Sequence, residues 1–310
     1  MANSSSPITN KMELTFLGTS SMVPTKERNV SGIFLSYKSE GILFDCGEGT
    51  QRQMNITGIK RTKITKILVS HWHGDHIGGL IGLIQTLGNE DNLSVVEIYG
   101  PNGTKKYMSH LLKSCYFDVK IGLKIVELNP QSIKTFFENE DFILECALLD
   151  HGIPCLGYSF IEKNKLKVNT EYLKKNNILD GPHLRKLQEG KSIVYKGKKV
   201  NVKNATFVVE GKKVSCILDT ALCTNAIKLA KDADILISEA VYTSELAEKG
   251  EKYKHMTSKD AALLANKAGV KKLVLTHFSQ RYKNSLPLQD DAAMYFDNVI
   301  CADDYMKLNL

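Results

Sequence analysis

The chain has 310 residues, of which 43% are hydrophobic and 24% are charged, and its formal net charge is +7. These proportions are typical of a globular protein with a sizeable core, and no apolar run reaches the roughly 18–20 residues of a membrane-spanning helix. The sequence therefore predicts a folded globular protein without a membrane-spanning helix. The start, MANSSSPITN, lacks the apolar stretch of a secretory signal. We therefore expect residues 1–11 to be a disordered polar tail or an expression remnant, and the protein to be cytoplasmic with no membrane partner.

Apolar runs predict the strands of an α/β fold, and apolar residues three or four apart predict its helices. In chain order we expect strands at 12–17, 32–37 and 41–45, a helix at 49–57, a strand at 66–70, a helix at 77–87, a strand at 95–99, a helix at 103–114 and a strand at 142–148. Strands at 205–210 and 213–218 follow, then a helix at 222–232, a strand at 234–238, a helix at 258–268, a strand at 272–276 and a helix at 286–294. Ser258 is expected to cap helix 258–268.

The positive charge is concentrated between two α/β halves, roughly 12–160 and 204–310. Residues 162–203 contain twelve lysines and arginines but four acidic residues, whereas the rest of the chain is close to neutral. A basic segment on an otherwise neutral protein indicates a polyanionic partner. A lysine-rich solvated surface would have the same composition, and charge alone does not decide between the two.

Residues 71–76, HWHGDH, directly follow a predicted strand and contain three histidines and an aspartate that could bind metal ions. Imidazole nitrogens and carboxylate oxygens are good ligands for Zn²⁺. Alternate residues of an extended backbone point the same way, so His71 and His73 can hold one metal while Asp75 and His76 turn toward a second. Two such metals would activate a water molecule for hydrolysis. The seven cysteines form no CxxC pair, which excludes a zinc ribbon.

This HxHxDH run resembles the signature of the metallo-β-lactamase superfamily. The resemblance implies a four-layered αβ/βα sandwich over residues 12–310 and three further ligands, for which His151, Asp219 and His277 stand at the ends of predicted strands. The implied arrangement has His71, His73 and His151 on one metal, Asp75, His76 and His277 on the other, and Asp219 bridging both. Asp45, in ILFDCGEG, matches the superfamily's first motif and would hold a ligand histidine or the metal-site loop by hydrogen bonds. A turn-capping aspartate is a nearly equal interpretation of Asp45.

Four further stretches resemble ribonuclease Z, the family of endonucleases that trim the 3′ end of precursor tRNA. FLGTSSMVPTKERNVSG is similar to the basic loop of that family, and ISEAVY, KHMTS and LTHFSQRY are similar to its later motifs. The resemblance runs from Met12 onward. It implies a zinc-dependent endoribonuclease with two Zn²⁺ per chain, although Mn²⁺ or Fe²⁺ fits the same ligands. It also implies a homodimer in which the arm of one subunit serves the site of the other.

The same resemblance assigns the proton transfers. Asp75 would orient or deprotonate the attacking water. His255, in KHMTS, would protonate the departing oxygen, since a positioned histidine supplies a proton near neutral pH. Glu239, in ISEAVY, would orient His255 and raise its pKa. A strand-end carboxylate and a capping histidine remain alternative interpretations of these two residues.

The basic segment, about 162–203, would be the arm with which this family clasps tRNA away from the cut, inserted between the halves. Gly181-Pro182 resembles the arm's glycine-proline element, although the repeated pattern of the family is missing, and Arg185 and Lys186 follow it. With a net charge of +8, the arm would neutralise phosphates without reading bases. Three residues outside the arm are also expected to contact RNA: Lys26 and Arg28 in the N-terminal loop, and Arg281 in the last motif.

Two other functions fit parts of the sequence. A small-molecule phosphodiesterase or arylsulfatase of the same fold would use the metal ligands but would leave the basic segment without a role. A tRNA-binding or chaperone-like protein with a vestigial metal site would not need the full ligand set. The salt dependence of tRNA binding distinguishes the first from a nuclease.

Overall fold

The structure is a computed structural model that describes residues 12–90, 95–117 and 120–310, so the expected tail at 1–11 lies outside the described residues. The strands are β1 (Glu13–Gly18), β2 (Ser20–Ser21), β3 (Gly32–Tyr37), β4 (Glu40–Phe44), β5 (Lys66–Leu68), β6 (Val96–Pro101), β7 (Leu123–Leu128), β8 (Lys134–Glu138), β9 (Phe142–Leu148), β10 (Leu156–Glu162), β11 (Lys165–Val168), β12 (Ile193–Tyr195), β13 (Lys198–Val200), β14 (Thr206–Val209), β15 (Lys213–Ile217), β16 (Ile235–Glu239), β17 (Leu273–Thr276), β18 (Phe278–Ser279), β19 (Val299–Cys301) and β20 (Lys307–Asn309).

The helices are α1 (Thr50–Thr57), α2 (Gly74–Ile77), α3 (Leu80–Leu87), α4 (Thr104–Leu112), α5 (Thr170–Lys175), α6 (His183–Gln188), α7 (Val202–Ala205), α8 (Thr224–Ala230), α9 (Ala247–Tyr253), α10 (Ser258–Ala268) and α11 (Leu286–Ala293). Single turns of 3₁₀ helix occupy Arg61–Lys63 and Ser244–Leu246. Among the described residues, no helix has the length and apolar character needed to cross a membrane.

Two large mixed sheets face each other across the main core. The first has the strand order β20-β1-β3-β4-β5-β6-β7 and the second has the order β19-β17-β16-β15-β10-β9-β8. Helices α1, α3 and α4 pack on the outer face of the first sheet, and α8, α10 and α11 pack on the outer face of the second. These layers form the four-layered αβ/βα sandwich that the sequence predicted.

The period-2 alternation of apolar residues explains why each sheet can be covered on both faces. In β1, Leu14 and Phe16 face the opposite sheet, whereas Leu17 packs under the outer helices. In β5, Leu68 lies between the sheets and Ile67 lies under the helices. Each such side chain, once fully buried, contributes roughly 1.5–3 kcal/mol of transfer free energy.

The arm joins two neighbouring strands of the second sheet, because the first half of the chain, residues 12–160, supplies strands to both sheets. Tyr158–Ile161 of β10 pair antiparallel with Lys213–Cys216 of β15, and the arm is the chain that connects these two strands. Strand β7 forms one edge of the first sheet, and the next three strands along the chain, β8, β9 and β10, belong to the second sheet. Alternation predicts that a segment is a strand, but it does not predict which sheet the strand joins.

The arm also extends further than residue 203. The strand expected at 205–210 is β14, which pairs with β11 at the base of the arm and belongs to neither large sheet. The base closes where the Glu162 N–H donates to the Lys212 carbonyl at 2.8 Å. Gly211 is required there, because a Cβ at this position would lie 1.9 Å from the Glu162 carbonyl oxygen. The arm is therefore residues 163–211, and it has a small core of its own, formed by Leu173, Ile178, Leu187, Ile193, Val200 and Ala205.

The N-cap of α10 is Thr257, one residue before the expected Ser258. The Thr257 side chain accepts a hydrogen bond from the Asp260 N–H, and the Asp260 carboxylate accepts one from the Thr257 N–H. This reciprocal capping box satisfies two backbone donors that a helix start otherwise leaves free. It also anchors the chain immediately after His255.

Candidate metal centre

The expected site residues lie where core strands end. Asp45 directly follows β4, His71 comes three residues after β5, and His277 directly follows β17. Strands β4 and β5 run parallel, as do β15, β16 and β17, so the carboxyl ends of each set meet at one edge. The two edges are joined at this point, because the Leu156 N–H of the second sheet donates to the Ser70 carbonyl at 2.9 Å.

Seven side chains converge there in two groups. Within each group the potential ligand atoms lie within 4.8 Å of one another; one group is His71, His73, His151 and Asp219, and the other is Asp75, His76 and His277. Asp219 faces both groups, since its Oδ2 lies 3.6 Å from His71 Nε2 and its Oδ1 lies 3.1 Å from His277 Nε2. The structure thus brings together all seven residues in the grouping that the sequence predicted.

The donor set fits a divalent metal ion. Among the described residues, His76 Nε2, His277 Nε2 and Asp219 Oδ1 are buried side-chain atoms without a hydrogen-bond partner. Buried polar atoms are nearly always satisfied, so three unsatisfied atoms that face one another need a partner of another kind. Imidazole nitrogen and carboxylate oxygen are the ligands that zinc, manganese and iron accept.

The electrostatics of the centre agree with a bound cation. Burial and the neighbouring His76 lower the pKa of His71, which keeps this imidazole neutral and able to act as a ligand. Burial also opposes a charge on His76, but Asp219 and Asp45 outweigh it and raise the pKa of His76 above its ordinary value. Negative charge therefore exceeds positive charge around His76, and a cation is favoured there.

Asp45 orients this part of the centre. Its Oδ2 lies 2.7 Å from His76 Nδ1, and its carboxylate also accepts the N–H and the hydroxyl of Ser70 at 2.7 Å each. Asp45 therefore fixes a proton on His76 Nδ1 and leaves Nε2 free to face the centre. The position of Asp45 matches the expected role, since it touches both a ligand histidine and the loop that carries the other ligands.

Sequence reasoning missed the partners of two other histidines. The Ser31 hydroxyl lies 2.8 Å from His277 Nδ1, and the Lys254 carbonyl lies 3.2 Å from His151 Nδ1. A lone serine and a backbone carbonyl carry no recognisable pattern, so only the tertiary structure reveals these contacts. Each orients a ring whose other nitrogen faces the ligand groups.

Glu239 and His255 form a hydrogen-bonded pair beside the centre. His255 Nδ1 lies 3.1 Å from Glu239 Oε2, and Glu239 is fully buried. Burial lowers the pKa of His255, but the Glu239 carboxylate outweighs this effect and raises the pKa to about 9. The imidazole is therefore protonated at neutral pH. Its side chain keeps 16% of its surface exposed, so a substrate can reach it.

Comparison with known proteins identifies the family. A family model described as Anti-Pycsar protein Apyc1 matches residues 12–142, less than half of the chain. Ribonuclease Z of Rippkaea orientalis is 40% identical over 309 residues, which cover 95% of this chain and 96% of that protein. This chain belongs to the ribonuclease Z family. The short form of human tRNase Z is similar in structure, with a TM-score of 0.71 and 28% identity over 96% of this chain and 98% of that one.

The fold is also shared beyond ribonuclease Z. The metallo-β-lactamase fold protein YhfI from Bacillus subtilis is similar over 97% of this chain and 100% of that one, with a TM-score of 0.69 and 18% identity. The predicted family and the predicted metallo-β-lactamase fold are both confirmed.

A cleft of about 830 Å³ opens over the ligand groups of this ribonuclease Z family member. His73, Asp75, His151 and Asp219 line it, and so does His255. The Asp75 carboxylate is held in position by the Met22 N–H, which donates to its Oδ2 at 2.8 Å. The two ligand groups and the protonated histidine therefore open into a single space.

The residues expected to contact RNA differ in their placement. Arg281 is exposed and lines the cleft, and Lys26 is exposed on the N-terminal loop. Arg28 is buried, with 7% of its surface exposed. Its Nη1 donates to the Tyr282 carbonyl at 2.9 Å and its guanidinium lies 5.2 Å from the centre of the Phe278 ring. The prediction that Arg28 contacts RNA finds no support, because this side chain braces the loop instead.

The other expected RNA contacts lie on the arm. Pro182 is the N-cap residue of α6, and Gly181 precedes it. Arg185 and Lys186 lie within α6 and are exposed. These residues present positive charge to solvent from an element that is separate from the two large sheets.

Proposed function

We propose that this chain is a metal-dependent endoribonuclease that removes the 3′ trailer from precursor tRNA. The observation that carries the proposal is the convergence of seven ligand-type side chains beside the Glu239–His255 pair, in a chain of the ribonuclease Z family. Cleavage would leave a 3′-hydroxyl on the tRNA and a 5′-phosphate on the trailer.

Each ligand group would hold one metal ion. His71, His73 and His151 would bind the first, Asp75, His76 and His277 would bind the second, and Asp219 would bridge both. When bound, the two ions, which we propose to be zinc, would lower the pKa of water and stabilise negative charge on the attacked phosphate.

The remaining steps fall to side chains of this protein. Asp75, held by the Met22 N–H, would orient the attacking water and accept its proton. His255 would donate a proton to the departing 3′-oxygen, which otherwise leaves as an unfavourable alkoxide. Glu239 holds the Nδ1 side of the ring at 3.1 Å, and this contact both orients His255 and keeps it protonated.

The arm, residues 163–211, would bind the body of the tRNA. This segment carries a net charge of +8, whereas the rest of the chain is close to neutral. Charge without base contacts suits a substrate recognised by its backbone and shape. Arg185 and Lys186, after the Gly181-Pro182 turn, are the proposed phosphate contacts. We further propose a cytoplasmic homodimer in which the arm of one subunit serves the site of the other.

Cleavage of a 3′-extended precursor tRNA by the purified protein, with and without a chelator, tests this function. We expect a single cut at the trailer junction that disappears with the chelator and returns with added zinc. No cut by protein that contains two metal ions per chain would overturn the substrate assignment.

A variant tests the proton donor separately. His255→Asn should lower kcat by about 10²–10⁴-fold without loss of metal. His110→Asn, on the exposed surface of α4, is the matched control and should cleave normally. Full activity of the His255 variant would refute its role.

A further inference from the structure

One wall of the cleft has no role in the steps described above. Tyr253, the last residue of α9, lines the cleft and keeps 53% of its surface exposed. Lys249 lies four residues earlier and lines the same cleft, as expected for residues i and i+4, which share one face of a helix. An exposed aromatic ring beside a cation is the combination that binds single-stranded nucleic acid, by stacking on bases and by attracting phosphates.

The chemistry of the cut indicates which nucleotide faces this wall. In the proposed reaction the departing atom is the 3′-oxygen of the last tRNA nucleotide, and His255 must lie against that oxygen to protonate it. Tyr253 precedes His255 by two residues, and both side chains line the cleft. In that reaction the wall next to His255 would face the last nucleotide of the tRNA.

We propose that the Tyr253 ring is the stacking surface for the base of this last tRNA nucleotide. The inference rests on the proposed function. Lys249 and Arg281 line the same cleft and supply the positive charge for the phosphates that flank the stacked base. Stacking tolerates every base, because every base has a π-face, and this tolerance suits an enzyme that acts on many tRNAs.

The charges around the ring agree with this assignment. The Lys252 ammonium lies over one face of the Tyr253 ring, 5.4 Å from its centre, so the base would stack on the opposite face. The Arg281 guanidinium lies 5.2 Å from the centre of the Tyr242 ring. Both aromatic residues and Arg281 line the cleft. Two aromatic rings paired with cations thus line the cleft that also contains His255.

A double-mutant cycle between protein and RNA tests the contact. The two substrates are a precursor tRNA with its natural last nucleotide and the same RNA with an abasic sugar at that position. Tyr253→Leu should lower kcat/KM for the natural precursor by about 5- to 150-fold, whereas Tyr253→Phe, which keeps the ring, should retain it. On the abasic RNA, wild type and Tyr253→Leu should be equal.

The controls separate stacking from a loss of structure. Tyr116→Leu removes a fully exposed tyrosine that does not line the cleft and should change neither substrate. If Tyr253→Leu unfolds, Tyr253→Trp keeps a stacking surface and should retain discrimination between the two RNAs. An equal loss by Tyr253→Leu on both RNAs, or no loss on the natural one, would overturn the stacking proposal. Failure of the wild-type protein to cut the natural precursor would instead overturn the proposed function.

Discussion

Substitution of asparagine for Asp45 should weaken metal binding without disturbing the fold. Asp45 Oδ1 accepts the Ser70 N–H, and Oδ2 faces His76 Nδ1 at 2.7 Å. An asparagine can keep the first bond through its amide oxygen, but its NH₂ group then faces His76 Nδ1. Two donors cannot pair, so the proton of the imidazole moves to Nε2. In that tautomer Nε2 has no lone pair for a metal.

The expected magnitude follows from this single orienting contact. Loss of a partner that orients a metal-binding histidine typically costs about 10- to 100-fold in metal affinity, which corresponds to about 1.4–2.7 kcal/mol. His76 belongs to only one of the two ligand groups. We therefore expect the loss to affect one of the two proposed ions, and cleavage at limiting zinc to fall in parallel.

The assay is a competition titration with a chromophoric zinc chelator, combined with a thermal melt of the metal-free protein. Asp150→Asn is the matched control, because it removes the same charge next to His151 from a carboxylate that pairs with Lys254 and is 52% exposed. The control should bind both ions as wild type does. If Asp45→Asn also binds both ions with wild-type affinity, the tautomer argument is refuted.

Three further predictions concern the arm and the core. Replacement of the arm, residues 163–211, by an Asn-Gly turn should weaken precursor tRNA binding. It should also make the slope of log K against log [salt] shallower by about 0.9 for each phosphate that the arm neutralises. Hydrolysis of bis(p-nitrophenyl) phosphate should persist, and unchanged affinity would refute the role of the arm. Burial opposes ionisation of the Glu162 carboxyl, but the Lys165 ammonium outweighs burial and lowers the pKa of Glu162. The ionised carboxylate therefore stabilises the folded state fully above its unfolded-state pKa of about 4.3. This stabilisation disappears as the pH falls through the lower folded-state pKa. Urea titrations should therefore show Glu162→Gln to be less stable at pH 7 and less sensitive to acid, and parallel pH profiles would contradict this. Tyr158→Phe removes a buried hydroxyl that donates to the Val69 carbonyl at 2.7 Å and should cost about 1–3 kcal/mol of unfolding free energy in the same titrations; no decrease would show that water replaces the bond.

Much of the metal centre was predictable because its signals are local. The histidines and the aspartate of residues 71–76 are neighbours in the chain, and each distant ligand ends an apolar run that predicts a strand. Alternation within β1 and β5 likewise predicts which side chains are buried. Such patterns depend on the 2-residue and 3.6-residue periods of the backbone, which a linear sequence displays directly.

The sequence by itself therefore predicted many of the strands and helices, the candidate ligand residues and the family, whereas β7, β8, β10 and α9 were not expected. Only the tertiary structure showed that the arm connects β10 with β15. It also showed that Arg28 is buried and that Tyr253 lines the cleft. It also paired His277 with Ser31, which is 246 residues away in the chain. The physical reason is that sheet membership, burial of a charged side chain and the partner of a ring nitrogen depend on contacts between distant segments. No local period in the chain encodes those contacts.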